Sequence, residues 1–313
     1  MPPPAARPRH LALVGATASG KSALALALAR RDPSIEIVSI DAMQVYRGMD
    51  IGTAKASPAE RAEVPHHLLD LADPDEEWSV ARFRAAAAEA LAGIDTRGHQ
   101  ALLVGGTGLY HRAVIDDLDL PGTWPSVRAE LEADAATPAG LARLHARLAE
   151  LDPRAATRMQ PTNLRRVVRA LEVTVGSGRP FSSFGPGLEA YPPTPFLQVG
   201  LAVPRAELDR RIADRFAAML AAGLLDEVGA LAARRPPASR TARQALGYRE
   251  LLAHLEGTAT LPEAVAEAVR RTRRFARRQE RWFRRDPRIT WITPGEDPLA
   301  SLPPLLGDSI RCT

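Results

Sequence analysis

Residues Gly15-Ala16-Thr17-Ala18-Ser19-Gly20-Lys21-Ser22 follow the pattern G-x-x-x-x-G-K-[ST], and no other stretch restricts the fold of this chain as much. The pattern is a device for gripping phosphate. Its glycines let the backbone turn tightly enough for successive N–H groups to face one anion, and the following helix aims its positive end at the same point. Lys21 adds a point charge, and the Ser22 hydroxyl is a hard oxygen ligand suited to Mg2+. Average residue usage produces such a match by chance in on the order of one chain in a hundred. A plain glycine turn between strand and helix is the alternative. The flanks favour the phosphate loop, because Leu11–Val14 reads as a short buried strand and Lys21–Arg31 as an alanine-rich helix.

The same rhythm continues with strand Ile35–Ile40, helix Ala81–Ala92 and strand Ala101–Val104, which predicts right-handed βαβ units. Past Pro121 the texture changes. Helical patterns at Ser126–Ala135, Pro138–Leu151 and Asn163–Val175 follow one another without a strand, and Gly176–Pro195 is a Gly-, Pro- and Ser-rich loop. Strand Phe196–Val203, helices Arg205–Arg234, Ala242–Leu255 and Pro262–Arg285, and strand Ile289–Ile292 complete the chain. The expected fold class is α/β, a P-loop NTPase-like parallel sheet flanked by helices, with an inserted all-helical domain. The expected divisions are 1–118, the first part of the core; 119–195, the helical insertion; and 196–313, the core completion with arginine-rich helices.

Charge and cysteine usage narrow the partners. The single cysteine, Cys312, excludes a disulfide framework and a thiolate zinc site, and points to a cytoplasmic location. No apolar run approaches the ~20 residues of a membrane helix. Met1–His10 reads as a loose tail, since Leu11–Val14 runs straight into Gly15. Lysine occurs only at Lys21 and Lys55, so 39 of the 41 basic residues are arginine. Residues 270–288 hold ten of these arginines and two acids, Glu280 and Asp286; that is +8 locally against +4 for the whole chain, so everything else sums to −4. At ~100° per residue, Arg270, Arg274, Arg277, Arg281, Arg284 and Arg288 form one stripe, flanked by Arg271, Arg278 and Arg285. Val265, Val269, Phe275, Trp282 and Phe283 fall on the other side and are expected to pack on the protein. A solvated face normally mixes signs, so this one favours a nucleic-acid backbone, without separating tRNA from other polyanions.

A phosphate loop says which group is held and not which bond breaks. NTP hydrolases carry a second, metal-holding acid at a later strand end. Here that strand ends Leu103-Val104-Gly105-Gly106-Thr107-Gly108, with no carboxylate. The available acid is Asp41, at the end of the second strand, where ligands of open α/β sheets lie. By position alone it is equally an Asp that ends a strand and starts a turn.

The block Asp41-Ala42-Met43-Gln44-Val45-Tyr46-Arg47-Gly48-Met49-Asp50-Ile51-Gly52-Thr53-Ala54-Lys55 changes that balance. Together with the phosphate loop it resembles the bacterial tRNA dimethylallyltransferases. Further blocks agree in order across about residues 11–292: Pro65–Asp70, Val104–Tyr110, Asn163–Val173, Gln244–Arg249 and Arg277–Arg284. Ala16 departs from the proline of many relatives, at a position that touches no chemistry. The resemblance implies transfer of a dimethylallyl group from dimethylallyl diphosphate to the N6 amine of the adenosine 3′ of the anticodon, in tRNAs reading codons that begin with U. It implies that residues Gly15–Ser22 hold the donor's diphosphate, with Mg2+ at Ser22, and that Asp41 is the general base. Thr17 and Arg215 are implied diphosphate contacts.

The implied tRNA contacts fall on the same blocks. They are Asp41, Ala42, Met43 and Gln44; Thr107 and Arg128; and Arg165, Arg166, Val167, Val168 and Arg169. The later blocks add Gln244, Ala245, Leu246, Gly247, Tyr248 and Arg249, then Arg277, Arg278, Gln279, Glu280, Arg281, Trp282, Phe283 and Arg284. The insertion would grip the anticodon stem. No protein partner is implied, and a monomer is expected. Two other functions stay open: prenylation of free adenine nucleotides, against which the insertion and the arginine stripe argue, and a P-loop kinase or ATPase, which the missing acidic strand end disfavours. His66 and His67 are expected to be structural, since adjacent strand residues point to opposite faces and chelate poorly.

Overall fold

The computed structural model describes residues 9–137, 139–185, 187–295 and 299. The expected tail up to Pro8, together with Pro138 and Cys312, lies outside the described residues; His10 itself opens the first strand. The described residues form two compact units, one from the segments up to Asp116 and from Pro193 onward, the other from Asp117–Pro192.

The first unit is built on a six-stranded parallel sheet: β1 (His10–Gly15), β2 (Ile35–Ile40), β3 (His66–His67), β4 (Gln100–Gly105), β5 (Phe196–Leu201) and β6 (Ile289–Ile292). Their spatial order is β3-β2-β4-β1-β5-β6. The chain runs outward from central β1 to β2 on one side, returns through β4, and later builds β5 and β6 on the other side. The exit of β1 therefore lies at the reversal point, where such sheets open a crevice at their C-terminal ends. β1, β2, β4 and β5 are buried on both faces, which accounts for their continuous apolar runs.

Alternate residues face alternate layers. Leu11, Leu13, Ile35, Ile37, Leu102 and Val104 pack under α1 (Lys21–Arg31) through Leu24, Ala25 and Leu28. Ala12, Val38, Ile40 and Leu103 face the opposite layer. There α3 (Val80–Thr96) lays down Phe83, Ala87 and Ile94, and α4 (Gly108–Ile115) follows β4, whereas α2 (Pro58–Glu63), which precedes β3, pairs its Glu63 with Arg30 of α1.

The second unit is helical: α5 (Pro125–Ala135), α6 (Gly140–Leu151), α7 (Pro153–Thr157) and α8 (Leu164–Ser177). Its core is Leu131, Leu144, Leu148, Val167, Val168 and Leu171. Buried Glu172 ties it together, accepting from the Trp124 amide at 2.9 Å and pairing with Arg169 at 3.0 Å.

Back in the first unit, two long helices expected from periodicity are each broken. Arg205–Arg234 divides into α9 (Arg205–Ala221) and α10 (Leu224–Ala233), bent by 65°. Ala242–Leu255 divides into α11 (Arg240–Arg243) and α12 (Tyr248–Leu255). Gly223 and Gly247, at φ 98° and 87°, make the breaks, a backbone state that costs glycine little and other residues more. The last helix, α13 (Leu261–Phe283), starts from a capping box in which Thr260 and Glu263 satisfy each other's amides. Among the described residues, no single helix is long and apolar enough to cross a membrane.

Candidate active site

The phosphate loop leaves β1 at Gly15 and enters α1 through Gly20, whose φ of 95° turns the backbone into the helix without a side-chain cap. The first-turn amides of α1 thus stay open to a ligand. Ser22 is exposed there. Lys21 is folded back over the loop, its Nζ donating to the Ala16 carbonyl at 2.6 Å and to Ser19 Oγ at 3.4 Å. The Lys21 pKa is lowered to about 7, chiefly by burial and next by Arg215, with Asp41 opposing both.

Around the loop lies a cavity of about 640 Å³ whose lining includes Thr17, Lys21, Ser22, Asp41, Gln44 and Arg215. Arg215, on α9, is half-buried and has no acid partner among the described residues. Burial lowers its pKa, against the pull of Asp41. Two cations and one carboxylate, drawn from three separated segments, therefore converge on the loop.

Asp41 follows β2 and is half-buried. Its Oδ1 accepts from the Met43 amide at 2.8 Å, which fixes the carboxylate's direction. Oδ2 meets no donor among the described residues and remains free to accept a proton. Thr107 Oγ1 accepts from the Ala42 amide at 3.2 Å. Gln44 is fully engaged: its Oε1 accepts from Ser39 Oγ at 2.7 Å, and its Nε2 donates to the Thr53 and Ala54 carbonyls at 3.0 and 3.1 Å.

The rest of the Asp41–Lys55 block is held from below. Lys55 has no exposed side-chain surface and donates to the Tyr46 carbonyl, Asp50 and Asp70 at 2.7, 2.5 and 2.7 Å. Glu227 accepts the amides of Asp50, Ile51 and Gly52 at 2.8, 2.8 and 3.0 Å and the Tyr248 hydroxyl at 2.5 Å. Glu227 escaped sequence reasoning, because nothing local marks a carboxylate 175 residues away as the cap of three loop amides.

The strand end expected to lack an acid is instead filled by Gln279. Its Oε1 accepts from the Thr17 amide and its Nε2 donates to the Gly106 carbonyl, both at 2.9 Å. A Cβ at position 106 would strike that amide group, so the glycine makes the room.

Several expected RNA contacts lie in the interior. Val167 and Val168 belong to the core of the helical unit; Ala245, Gly247, Tyr248 and Phe283 are buried in the first unit, as is Gln279. The side chains at these positions pack in the interior and hold elements in place. Arg169 is drawn inward to Glu172 and to the Pro121 and Gly122 carbonyls at 2.9 and 3.0 Å. Arg165, Arg166 and Gln244 are exposed, Arg128 is exposed and paired with Glu132 at 2.9 Å, and Arg249 is exposed.

On α13 the stripe holds in part. Arg274, Arg277 and Arg281 are exposed and without an acid partner among the described residues, and Arg278 is exposed over the Phe275 ring. Arg284 is exposed, 3.6 Å from Glu280 and stacked on Trp291, while Arg285 stacks on Trp282. Arg288 does not belong to the stripe. The helix ends at Phe283, so the 100° step fails beyond it, and Arg288 turns inward to Asp116 and Asp286 at 2.6 and 2.7 Å. Arg270 and Arg271 are paired with Glu267 and Glu250.

The histidine pair divides as adjacent strand residues do. His67 contacts buried Glu36 at 2.6 Å, beside Arg97 and His99, while His66 bonds the Val64 carbonyl.

A parallel α/β sheet with a glycine-rich anion loop, facing one carboxylate and two converging cations, defines an enzyme-like phosphate-binding protein of the P-loop class. Comparison with known proteins carries this further. A family model described as IPP transferase matches residues 44–286, and one described as isopentenyl transferase matches residues 9–70. A tRNA dimethylallyltransferase of Kineococcus radiotolerans is 53% identical over 92% of this chain and 92% of its own length. Among solved structures, the tRNA isopentenylpyrophosphate transferase of Bacillus halodurans is 40% identical with a TM-score of 0.65, covering 91% of this chain and 89% of that one. A eukaryotic dimethylallyltransferase acting on tRNA is 26% identical with a TM-score of 0.72, covering 88% of this chain and 69% of that one. The chain belongs to the IPP transferase family.

Proposed function

We propose that this chain is a cytoplasmic tRNA dimethylallyltransferase that moves the dimethylallyl group of dimethylallyl diphosphate onto N6 of the adenosine 3′ of the anticodon. The observation that carries the reading is the convergence of Asp41, Lys21 and Arg215 on one cavity with the phosphate loop. Two of the relatives named above are called a tRNA dimethylallyltransferase and a dimethylallyltransferase acting on tRNA.

The chemistry follows from the residues. An adenine amine is a weak nucleophile, because its lone pair is delocalised into the ring. Asp41, steered by the Met43 amide, takes the N6 proton on its free oxygen as the N6–C1 bond forms. The C1–O bond breaks, and its electron pair leaves with the diphosphate. Charge therefore gathers on the diphosphate in the transition state, in the cavity that Lys21, Arg215 and the open loop amides line.

The donors present suit a divalent cation. Among the described residues no three His, Cys, Asp or Glu side chains form a metal cluster, but Ser22 offers a hard oxygen beside the diphosphate position. That set fits Mg2+, which keeps waters and borrows phosphate oxygens. When bound, it supplies further neutralisation of the leaving group.

The exposed arginines of α13 and of Leu164–Ser177 offer RNA phosphate contacts, with residues 119–195 as the anticodon-stem grip. The target base lies within a stacked loop, so it has to be turned out, at a cost of a few kcal/mol that stacking and phosphate contacts offset. Incubation with radiolabelled dimethylallyl diphosphate and unmodified tRNA tests the reading. Label in the adenosine beside the anticodon is expected. Label confined to free AMP would assign a nucleotide prenyltransferase instead, and ATP hydrolysis without prenyl transfer would assign an NTPase.

A further inference from the structure

We propose that Gln279 is a positioning residue that joins the diphosphate loop to the arginine face of α13, so that RNA docking and diphosphate binding strengthen each other. The inference rests on the function proposed above and adds to it a coupling between the two substrates.

Along α13 the inward positions are Ala264, Ala268, Ala276 and Phe283, all apolar, and then Gln279 at 6% exposure. A buried amide is costly unless both its ends are satisfied, whereas an aliphatic residue would pack there without that demand. Here both ends are satisfied, and by a particular pair: the third residue of the phosphate loop and the glycine just past β4. The preceding turn grips the same loop. Ala276 packs with Ala16, Leu208 and Ile212, so two successive turns of α13 touch Ala16 and Thr17 in order.

The opposite face of those same turns carries Arg274, Arg277, Arg278 and Arg281, all exposed. Arg277, Gln279 and Arg281 stand on one unbroken helix of 23 residues, so a shift that RNA phosphates draw from Arg277 and Arg281 is passed through Gln279 to the Thr17 amide. The Gln279 bond uses the Thr17 amide, and the Ser19 amide turns back to the Ala16 carbonyl at 3.3 Å, which leaves those of Ala18 and Gly20 to Ser22 for the anion. Gln279 thus sets the curvature of the loop without competing for its ligand. Whatever α13 does to the loop on binding RNA, the loop does to α13 on binding diphosphate, because coupling between two ligands is reciprocal.

Titration calorimetry of Mg2+ with inorganic diphosphate, with and without a saturating anticodon stem-loop RNA, reads the coupling directly. In the wild type the RNA should tighten diphosphate about fivefold or more, the usual lower end of such couplings. Gln279→Met has the same length and neither hydrogen bond. It should bind the RNA alone within about twofold of wild type, while the effect of RNA on diphosphate falls to about one. Coupling retained in that variant, or absent in the wild type, overturns the inference.

Should the variant not fold, amide exchange in the wild type decides. Adding the stem-loop without diphosphate should slow exchange across Gly15–Ser22, and unchanged exchange overturns the inference. Prenyl transfer by the same wild-type preparation is the control: no transfer to tRNA would fail the functional reading, whereas transfer without coupling fails only this one.

Discussion

Raising the pH should loosen the grip on the donor, because the lysine of the phosphate loop is held near neutrality. Burial first and Arg215 second, opposed by Asp41, together bring Lys21 to about 7. A bound diphosphate favours the charged form and restores a higher value, so binding takes up a proton wherever the free lysine is neutral. The sign follows: affinity is fully present below pH 7 and falls as the pH rises through that value. From pH 7 to 9 the charged fraction drops from about a half to about a hundredth, a loss of about 50-fold or ~2.3 kcal/mol. A thiolo analogue of dimethylallyl diphosphate, titrated with Mg2+ at pH 8 in two buffers of different ionisation heat, should show uptake of about 0.9 proton. Arg215→Gln removes the second cause and should move the midpoint upward. Affinity flat from pH 7 to 9, with no proton uptake, would refute the reasoning.

Replacing Arg277, Arg281 and Arg284 together by Gln should weaken tRNA binding roughly tenfold or more and flatten its log–log salt slope by about 2 to 3, with donor affinity unchanged; filter binding across a salt series checks this. Glu227→Ala strips three loop amides and the Tyr248 hydroxyl of their acceptor and should cost roughly 2–4 kcal/mol in urea unfolding, while a change under about 0.5 kcal/mol would mean the cap does not matter. Glu36 is lowered to about 2, first by Arg97, so the ionised form stabilises the fold above its ordinary value and that contribution is lost as the pH falls from about 4.5 toward 2. Glu36→Gln should make unfolding less sensitive to pH in that window, followed by near-ultraviolet circular dichroism.

What the sequence disclosed was local. The loop motif, the apolar strands Ile35–Ile40 and Ile289–Ile292 and the helix Lys21–Arg31 stand at the expected residues, since each signal lies inside its own segment. The two-residue β3 is too short to carry a period, and α4 was hidden behind the glycines that precede it. The box Ser57-x-x-Glu60 marks the start of α2, with both reciprocal bonds formed. Glycine at 223 and 247 likewise signalled the helix breaks that periodicity overran. Gln279 and Glu227 were beyond reach, because their work depends on partners 262 and 175 residues away. The arginine stripe failed at Arg288, because the helix on which it was drawn ends at Phe283 and Arg288 turns inward to Asp116 and Asp286.

Transfer depends on one proton acceptor facing one anion cradle, and Asp41→Asn tests that most directly. The substitution keeps the shape and the acceptor for the Met43 amide but removes the base. Single-turnover transfer of label from dimethylallyl diphosphate to saturating tRNA should slow by about 10²- to 10⁴-fold, with the affinities for diphosphate and tRNA each within about twofold of wild type. Transfer at close to the wild-type rate would contradict the account.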